Sequence, residues 1–168
     1  MAKTHKRPSW DEYFFLILDA VALRATCDRG RSGCVITREN RIIATGYVGA
    51  PPGLPDCDEV GHDMIERVNA DGTKSQHCIR TAHAEENTIV HAARFGVALK
   101  GATMYSNMTP CYTCAKMIIT AGIERVICRN DYHAGGPTKE MFKKSGIKYE
   151  LLDETLLYEP TGKKEKKS

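Results

Sequence analysis

No stretch of this sequence is apolar for anything approaching the roughly 18 residues that a membrane-crossing helix takes. The opening residues, Met1–Ser9, are polar, and Asp19 and Arg24 interrupt the apolar stretch that follows. The h-region of a secretory signal is therefore missing as well. No internal repeat is visible. An excess of one charge is also lacking once the ends are set apart. The chain carries 24 basic and 21 acidic groups, a formal net charge of +3. Lys3, Lys6 and Arg7 stand at the head, and Lys163–Ser168 holds four lysines and one glutamate, so residues 8–162 keep 17 basic and 20 acidic groups, a net of −3. A broad basic face for nucleic acid is not expected, although a local patch fits these numbers. The expectation is a cytoplasmic protein with no stable nucleic-acid partner and no membrane partner.

What the sequence does have is enough apolar character, 42% of 168 residues, for one real core. We expect a single domain over 9–153. It lies between a flexible basic N-terminus, 1–8, and a C-terminal segment, 154–168, that ends in a Lys-rich tail. Seven cysteines in a reducing compartment ask for an explanation other than disulfides.

Ser9 and Glu12 form a capping box ahead of an apolar stripe at Trp10, Phe14, Ile17, Leu18 and Val21, which predicts a helix over Ser9–Thr26. Two β-rich runs, Gly33–Thr37 and Arg41–Tyr47, read as a hairpin. Residues 48–79 are rich in proline and glycine with little periodicity. A structureless loop of that length needs something other than a hydrophobic core to hold it. Further on we expect a helix over Ala82–Arg94, with Thr81 as N-cap and Gly96 as stop, and a strand over Ala102–Ser106. A helix over Cys111–Ala121 follows, with Thr109 as N-cap, Pro110 at N1 and Gly122 as stop. The strand Arg125–Cys128, the helix Thr138–Ser145 and the strand Lys148–Leu152 complete the order.

The informative residues are His83-Ala84-Glu85 and Pro110-Cys111-Tyr112-Thr113-Cys114. Each set opens a predicted helix, where spare N–H groups and partial positive charge favour thiolate over thiol. Cys111 and Cys114 share one helical face. One histidine and two thiolates supply three zinc ligands and leave a fourth position for water, as a catalytic rather than a closed structural site does. Glu85, two residues past His83, is better placed beside that water than on the metal. Separately, a Cys-x-x-Cys is often a redox pair and a His-x-Glu is often chance. Together they match the H-x-E…P-C-x-x-C pattern of zinc deaminases.

From Trp10 to Leu152 the chain resembles the deoxycytidylate (dCMP) deaminase family of the cytidine deaminase-like superfamily, including its competence-associated bacterial variant. Besides the core motif, the resemblance rests on Gly46-Tyr47-Val48-Gly49, Gly101-Ala102-Thr103-Met104-Tyr105, Cys114-Ala115-Lys116-Met117-Ile118-Ile119, Ala121-Gly122-Ile123 and Asp131-Tyr132. It implies an α/β, three-layer α/β/α fold with a mixed five-stranded sheet of order 2-1-3-4-5. It also implies a homo-oligomer, with a hexamer favoured. His83, Cys111 and Cys114 would hold the catalytic zinc, and Glu85 would carry protons. The Ala84 backbone would hold the pyrimidine carbonyl, and Tyr132 would pack near the base, with a rim or core tyrosine as the alternative. Arg94 matches an arginine tied to nucleotide regulation in a phage relative, with a solvated helix-end arginine as the alternative. Many relatives carry asparagine near the sugar where this chain has Val48, which cannot hydrogen-bond a hydroxyl.

The reaction implied is hydrolytic deamination of dCMP to dUMP and ammonia. Rival readings are a free cytidine or deoxycytidine deaminase, a tRNA adenosine deaminase, and a non-catalytic zinc-holding nucleotide sensor. Family members are often activated by dCTP and inhibited by dTTP, with Mg2+ on the effector. Some carry a second, structural zinc. Here the set is Cys27, Cys57, His62 and Cys78, with His77 as a substitute ligand, which would explain how residues 48–79 are held. Buried small side chains are the alternative reading of these residues. Cys34 and Cys128 read as core.

Overall fold

The computed structural model describes residues 7–152. The expected basic head, apart from Arg7 and Pro8, and the expected C-terminal segment lie outside the described residues. Among those described, no helix is long and apolar enough to cross a membrane.

The chain opens with α1 (Trp10–Ala22), started by the Ser9–Glu12 capping box. The hairpin β1 (Gly33–Arg38) and β2 (Arg41–Tyr47) turns through Glu39 and Asn40, both at positive φ. Then come α2 (Cys57–Val60), β3 (Met64–Val68), β4 (Lys74–Cys78) and α3 (Ala84–Arg94). The last elements are β5 (Thr103–Met108), α4 (Tyr112–Thr120), β6 (Arg125–Asn130), α5 (Gly136–Ser145) and β7 (Lys148–Leu151). The main sheet has the order β2-β1-β5-β6-β7. Counting only its own five strands, this is the expected 2-1-3-4-5. It is mixed: β1 pairs antiparallel with β2 and β5, whereas β5–β6 and β6–β7 are parallel.

Strand alternation divides the core into two layers. Val35, Tyr105 and Ile127 point one way and pack with Phe14, Phe15 and Leu18 of α1. Cys34, Ile36, Met104, Val126 and Cys128 point the other way and pack with Ala84 and Ala92 of α3, Ala115 and Ile118 of α4, and Phe142 of α5. The result is α1, sheet, then α3–α5.

The segment 48–79 is a correction to the sequence reading. It contains the short helix α2 and the two-stranded sheet β3–β4, paired from Met64↔Cys78 to Val68↔Lys74. Its turn is made locally: Asp71 Oδ1 accepts from the Thr73 N–H at 2.9 Å, and Gly72 takes φ 85°. Helix boundaries shift for traceable reasons. Helix α1 stops before Thr26 because the Thr26 N–H is taken by the Val48 carbonyl at 3.1 Å and its hydroxyl donates to Asp56 at 2.7 Å. Ala82 is held extended by a two-way backbone bridge to Gly49, so His83 rather than Thr81 is the N-cap of α3. Thr109 directs its hydroxyl to Asp131 at 2.9 Å, and Cys111 takes over the N-cap of α4.

Helix α3 lies tight on β2. A Cβ at Gly46 would stand 2.5 Å from Thr88 Oγ1 and 2.8 Å from the Thr88 backbone nitrogen. On the opposite layer, Arg125 of β6 holds α1 and β7 together. Its guanidinium reaches Asp11 at 2.8 and 3.0 Å and Glu150 at 2.9 and 3.0 Å. Burial pushes the Asp11 carboxyl up, but hydrogen bonds from Arg125 and Tyr105 outweigh it and leave it below its ordinary value. Glu150 is pulled down to about 2, mainly by Arg125.

Two outcomes follow. Gly46→Ala should destabilise by about 1–3 kcal/mol through overpacking against backbone that cannot yield, read as a lowered denaturation midpoint. Arg125→Met keeps the apolar stem and should cost about 1–2 kcal/mol near neutral pH, a figure held down by the partial exposure of the cluster. Because both carboxyls have depressed pKa values, their contribution is present above the ordinary carboxylate range and is lost as pH falls towards about 2. The gap between wild type and Arg125→Met in thermal melts should close over that interval. A gap constant from pH 7 to about 2 would rule this account out.

Candidate metal centre and cleft

Two helix N-termini meet at one point. His83 caps α3 with extended backbone, and Cys111 caps α4, its sulfur accepting from the Cys114 N–H at 3.5 Å. His83 Nδ1 stands 3.5 Å from Cys111 Sγ and 3.6 Å from Cys114 Sγ. A tetrahedral zinc with ordinary bond lengths sets its nitrogen and sulfur ligands about 3.6 Å apart and two sulfurs about 3.8 Å apart. The donor set and its spacing therefore fit that ion. Cys111 and Cys114 share one hydrogen bond, which draws the Cys111 thiol down, with His83 helping, and pushes the Cys114 thiol up. His83 is raised to about 9 by the Cys111 sulfur. The proton on His83 is one that a bound cation displaces, since a ligating imidazole is neutral.

Glu85, the second residue of α3, lies over the sheet and shares a cleft with His83 and Cys111. It is 8% exposed, and Ser106 of β5 donates to its Oε1 at 2.5 Å. Burial raises its pKa, opposed by His83 and by the Ser106 hydroxyl. A cleft of about 610 Å3 reaches Glu85, His83 and Cys111. Its walls include Val48, His77, Asn107, Tyr132 and His133, and Arg29 stands on the same wall. Arg29 donates to the uncharged Gln76 carbonyl, whereas its neighbour Arg31 is engaged bidentately by Asp58. A second opening, about 780 Å3, meets the metal ligands from the side of Glu86, Tyr112 and Tyr132.

The remaining sequence-selected residues fall in different places. Ala84 is in the core, its carbonyl accepting from Thr88, and its side chain lines neither opening. Val48 packs with Ala25, Cys27 and Cys57 while showing an edge to the cleft. Tyr132 stands at 4.4 Å, edge to face, from His133. Arg94 is exposed in the last turn of α3, over the Phe95 ring, and lines neither opening.

A second cluster forms where the core is poorest. Cys27, Cys57 and His62 bring their donor atoms within 4.8 Å of one another. Cys57 Sγ is 3.6 Å from Cys78 Sγ, and Cys27 Sγ is 3.8 Å from His62 Nδ1. The other His62 nitrogen meets Asp28 at 2.9 Å, the outer contact that orients a ligating imidazole. His77, the substitute ligand of the sequence reading, stands outside this cluster. Its Nε2 is engaged by Ser75 at 2.8 Å and by Asn69 at 3.3 Å, and its ring faces the cleft instead. Ser106 was not singled out in the sequence. Its only signal there is a small polar residue inside an apolar strand.

Comparison with known proteins bears on this geometry. Residues 8–130 match the cytidine and deoxycytidylate deaminase zinc-binding region. ComE operon protein 2 of Bacillus subtilis is 38% identical over 148 residues, covering 88% of this chain and 74% of that one. The deoxycytidylate deaminase of Schizosaccharomyces pombe is 36% identical over 141 residues, 84% of this chain, which spans only 43% of that longer protein. The crystal structure of dCMP deaminase from the cyanophage S-TIM5, in complex with dCMP and dUMP, superposes with a TM-score of 0.70 at 25% identity, covering 88% of this chain and 100% of that one. With a motif-bearing match over most of its length and a metal-type donor set at the meeting of two helix caps, this chain belongs to the cytidine and deoxycytidylate deaminase family.

Proposed function

We propose that the protein deaminates dCMP hydrolytically to dUMP and ammonia, with His83, Cys111 and Cys114 holding zinc. The observation that carries this reading is the pairing of that three-ligand set with a buried carboxylate, Glu85, at the end of one cleft. When bound, zinc lowers the pKa of water from about 15.7 towards about 7. Glu85 takes one proton from the water as it adds to C4 of cytosine and gives it to N3, then takes the proton left on the C4 hydroxyl and gives it to the departing amine, so that ammonia leaves and the C4 carbonyl forms. The α3 N-terminus, at Ala84, offers an N–H to the pyrimidine carbonyl, and Tyr132 packs along the base. Arg29 gives the cleft positive character for a 5′-phosphate, which favours the nucleotide over the nucleoside.

The second cluster, Cys27, Cys57, His62 and Cys78, holds a structural zinc in this reading, and its sulfur–sulfur and sulfur–nitrogen spacings support it. It fastens the end of α1, α2 and the β3–β4 hairpin, where apolar packing is thin. The family resemblance supports a homo-oligomer, with a hexamer favoured, and dCTP or dTTP effectors with Mg2+, for which Arg94 is the candidate contact. A cytoplasmic location accords with seven free cysteines.

The deciding experiment measures ammonia release from dCMP, CMP, deoxycytidine, cytidine and adenosine-containing tRNA. We expect kcat/KM for dCMP to exceed that for deoxycytidine at least about tenfold, one charge-assisted contact's worth. Glu85→Gln should keep zinc and lower turnover at least about 100-fold. Glu86→Gln, whose amide can still cap the His83 N–H, should be nearly silent. Equal rates on dCMP and deoxycytidine would sink the nucleotide assignment, and turnover by Glu85→Gln would remove that residue from the chemistry.

Elemental analysis addresses the second cluster independently. About two zinc per chain are expected, falling by about one in Cys57→Ala, with hydrogen-exchange protection lost over residues 64–78. A content near one, with His83→Ala zinc-free, would show that the second cluster holds no metal.

A further inference from the structure

The floor beneath Glu85 is fixed by strand register. Ser106 of β5 is paired with Cys34 of β1 on one side and with Cys128 of β6 on the other. Side chains in register share a face of the sheet, so a hydroxyl lies between two thiols under the start of α3. All three are shut off from solvent, with Ser106 at 1% exposure. The thiols are weak donors. Burial holds both well above the ordinary thiol range. Thr88, the other buried hydroxyl close by, spends its proton on the Ala84 carbonyl at 2.7 Å. The strong side-chain donor to the Glu85 carboxyl is thus Ser106, at 2.5 Å from Oε1. The other hydrogen bond to Glu85 comes from its own backbone N–H.

We infer that Ser106 is a positioning residue for the proton carrier: it anchors Glu85 Oε1 to the sheet and so sets the plane of the carboxyl and the direction in which Oε2 is presented to the cleft. This deepens the proposed function and rests on it. A buried serine needs no such partner to be satisfied, because it can donate to a strand carbonyl, and a carboxyl on a helix has free torsions that a single backbone contact does not stop. The anchor comes from β5, the strand that runs directly into the Pro110-Cys111 turn. One strand therefore sets the height of both the proton carrier and a metal ligand. An interaction that matters for geometry during proton transfer, rather than for holding substrate, lowers kcat when lost and leaves KM nearly unchanged.

The test uses zinc-loaded, full-length protein. Ser106→Ala should lower kcat on dCMP by about 10- to 100-fold, with KM, dUMP affinity and zinc content close to wild type. Affinity for a nucleotide carrying a 4-hydroxy-tetrahydropyrimidine, a stable mimic of the tetrahedral adduct, should fall by the same factor as kcat/KM when measured by calorimetry. Ser106→Thr restores the hydroxyl and should recover most of both losses. If its extra methyl prevents folding, the comparison of dUMP and mimic binding in Ser106→Ala decides alone. Wild-type kcat and mimic affinity in Ser106→Ala would overturn the proposal. So would a parallel loss of dUMP affinity and zinc, which marks a merely structural serine. Glu85→Gln, measured beside it, keeps the two readings apart. An inactive Glu85→Gln with an unimpaired Ser106→Ala removes only the positioning role, whereas wild type that releases no ammonia from dCMP removes both.

Discussion

The convergence of His83, Cys111 and Cys114 is the constraint on which the remainder of the chain depends. His83 Nδ1 stands 3.5 and 3.6 Å from the two sulfurs across two helix starts, and neither start can drift by even an ångström without dissolving the set. Helix α4 is placed by covalent continuity with β5. Helix α3 follows β4, which lies outside the main sheet, and the Gly49–Ala82 bridge fixes the chain just ahead of it. It is located also by Gly46, which lets Thr88 approach β2, and by Asn87, which donates to the Tyr47 carbonyl at 2.8 Å. Sheet order serves the same end. With β5 central between β1 and β6, the strand that leads into one ligand loop is also the strand beneath the carboxylate two residues from another ligand.

Electrostatics at this point are arranged by geometry more than by net charge. A body with net −3 still gathers positive potential at one cleft. The helix N-termini supply positive potential. Arg31 is tied up by Asp58, whereas Arg29 rests on a neutral carbonyl. Far from the cleft, the acidic groups Asp11 and Glu150 are consumed by Arg125. Positions of charges decide here, and their sum says little.

Most of the sheet and the metal centre was legible because the signals are local and strong. The Ser9–Glu12 box, Pro110 before a cysteine cap and the left-handed glycines 96, 122 and 146 each mark an element end within a few residues. The β3–β4 hairpin was missed for a physical reason. Its strands carry Glu66, Arg67, Lys74 and Gln76, and only Cys78 at their end packs with a buried apolar cluster, so the apolar alternation that announces a strand is faint, and only Asp71-Gly72 hinted at the turn. Helix caps at Thr81 and Thr109 were misplaced because tertiary partners, Gly49 for the first segment and Asp131 for the second, outbid the local preference. Ser106 carries only the faint signal of a small polar residue in an apolar strand, since its meaning lies in what faces it across the sheet. His77, weighed only as a substitute for its neighbours, alternates with Cys78 along β4 and so faces away from the cluster.

The stripe Cys34–Ser106–Cys128 has a bearing on how seven cysteines coexist in one small protein. Soft metal ions do not discriminate well between one thiolate and another, and a chain with two donor clusters and spare thiols between them invites scrambling. Burial under α3 keeps Cys34 and Cys128 in the protonated form, and a thiol that cannot ionise is neither ligand nor nucleophile. The low-dielectric layer of the core thus insulates: a side chain that is a donor at a helix cap is held as a neutral thiol a strand away.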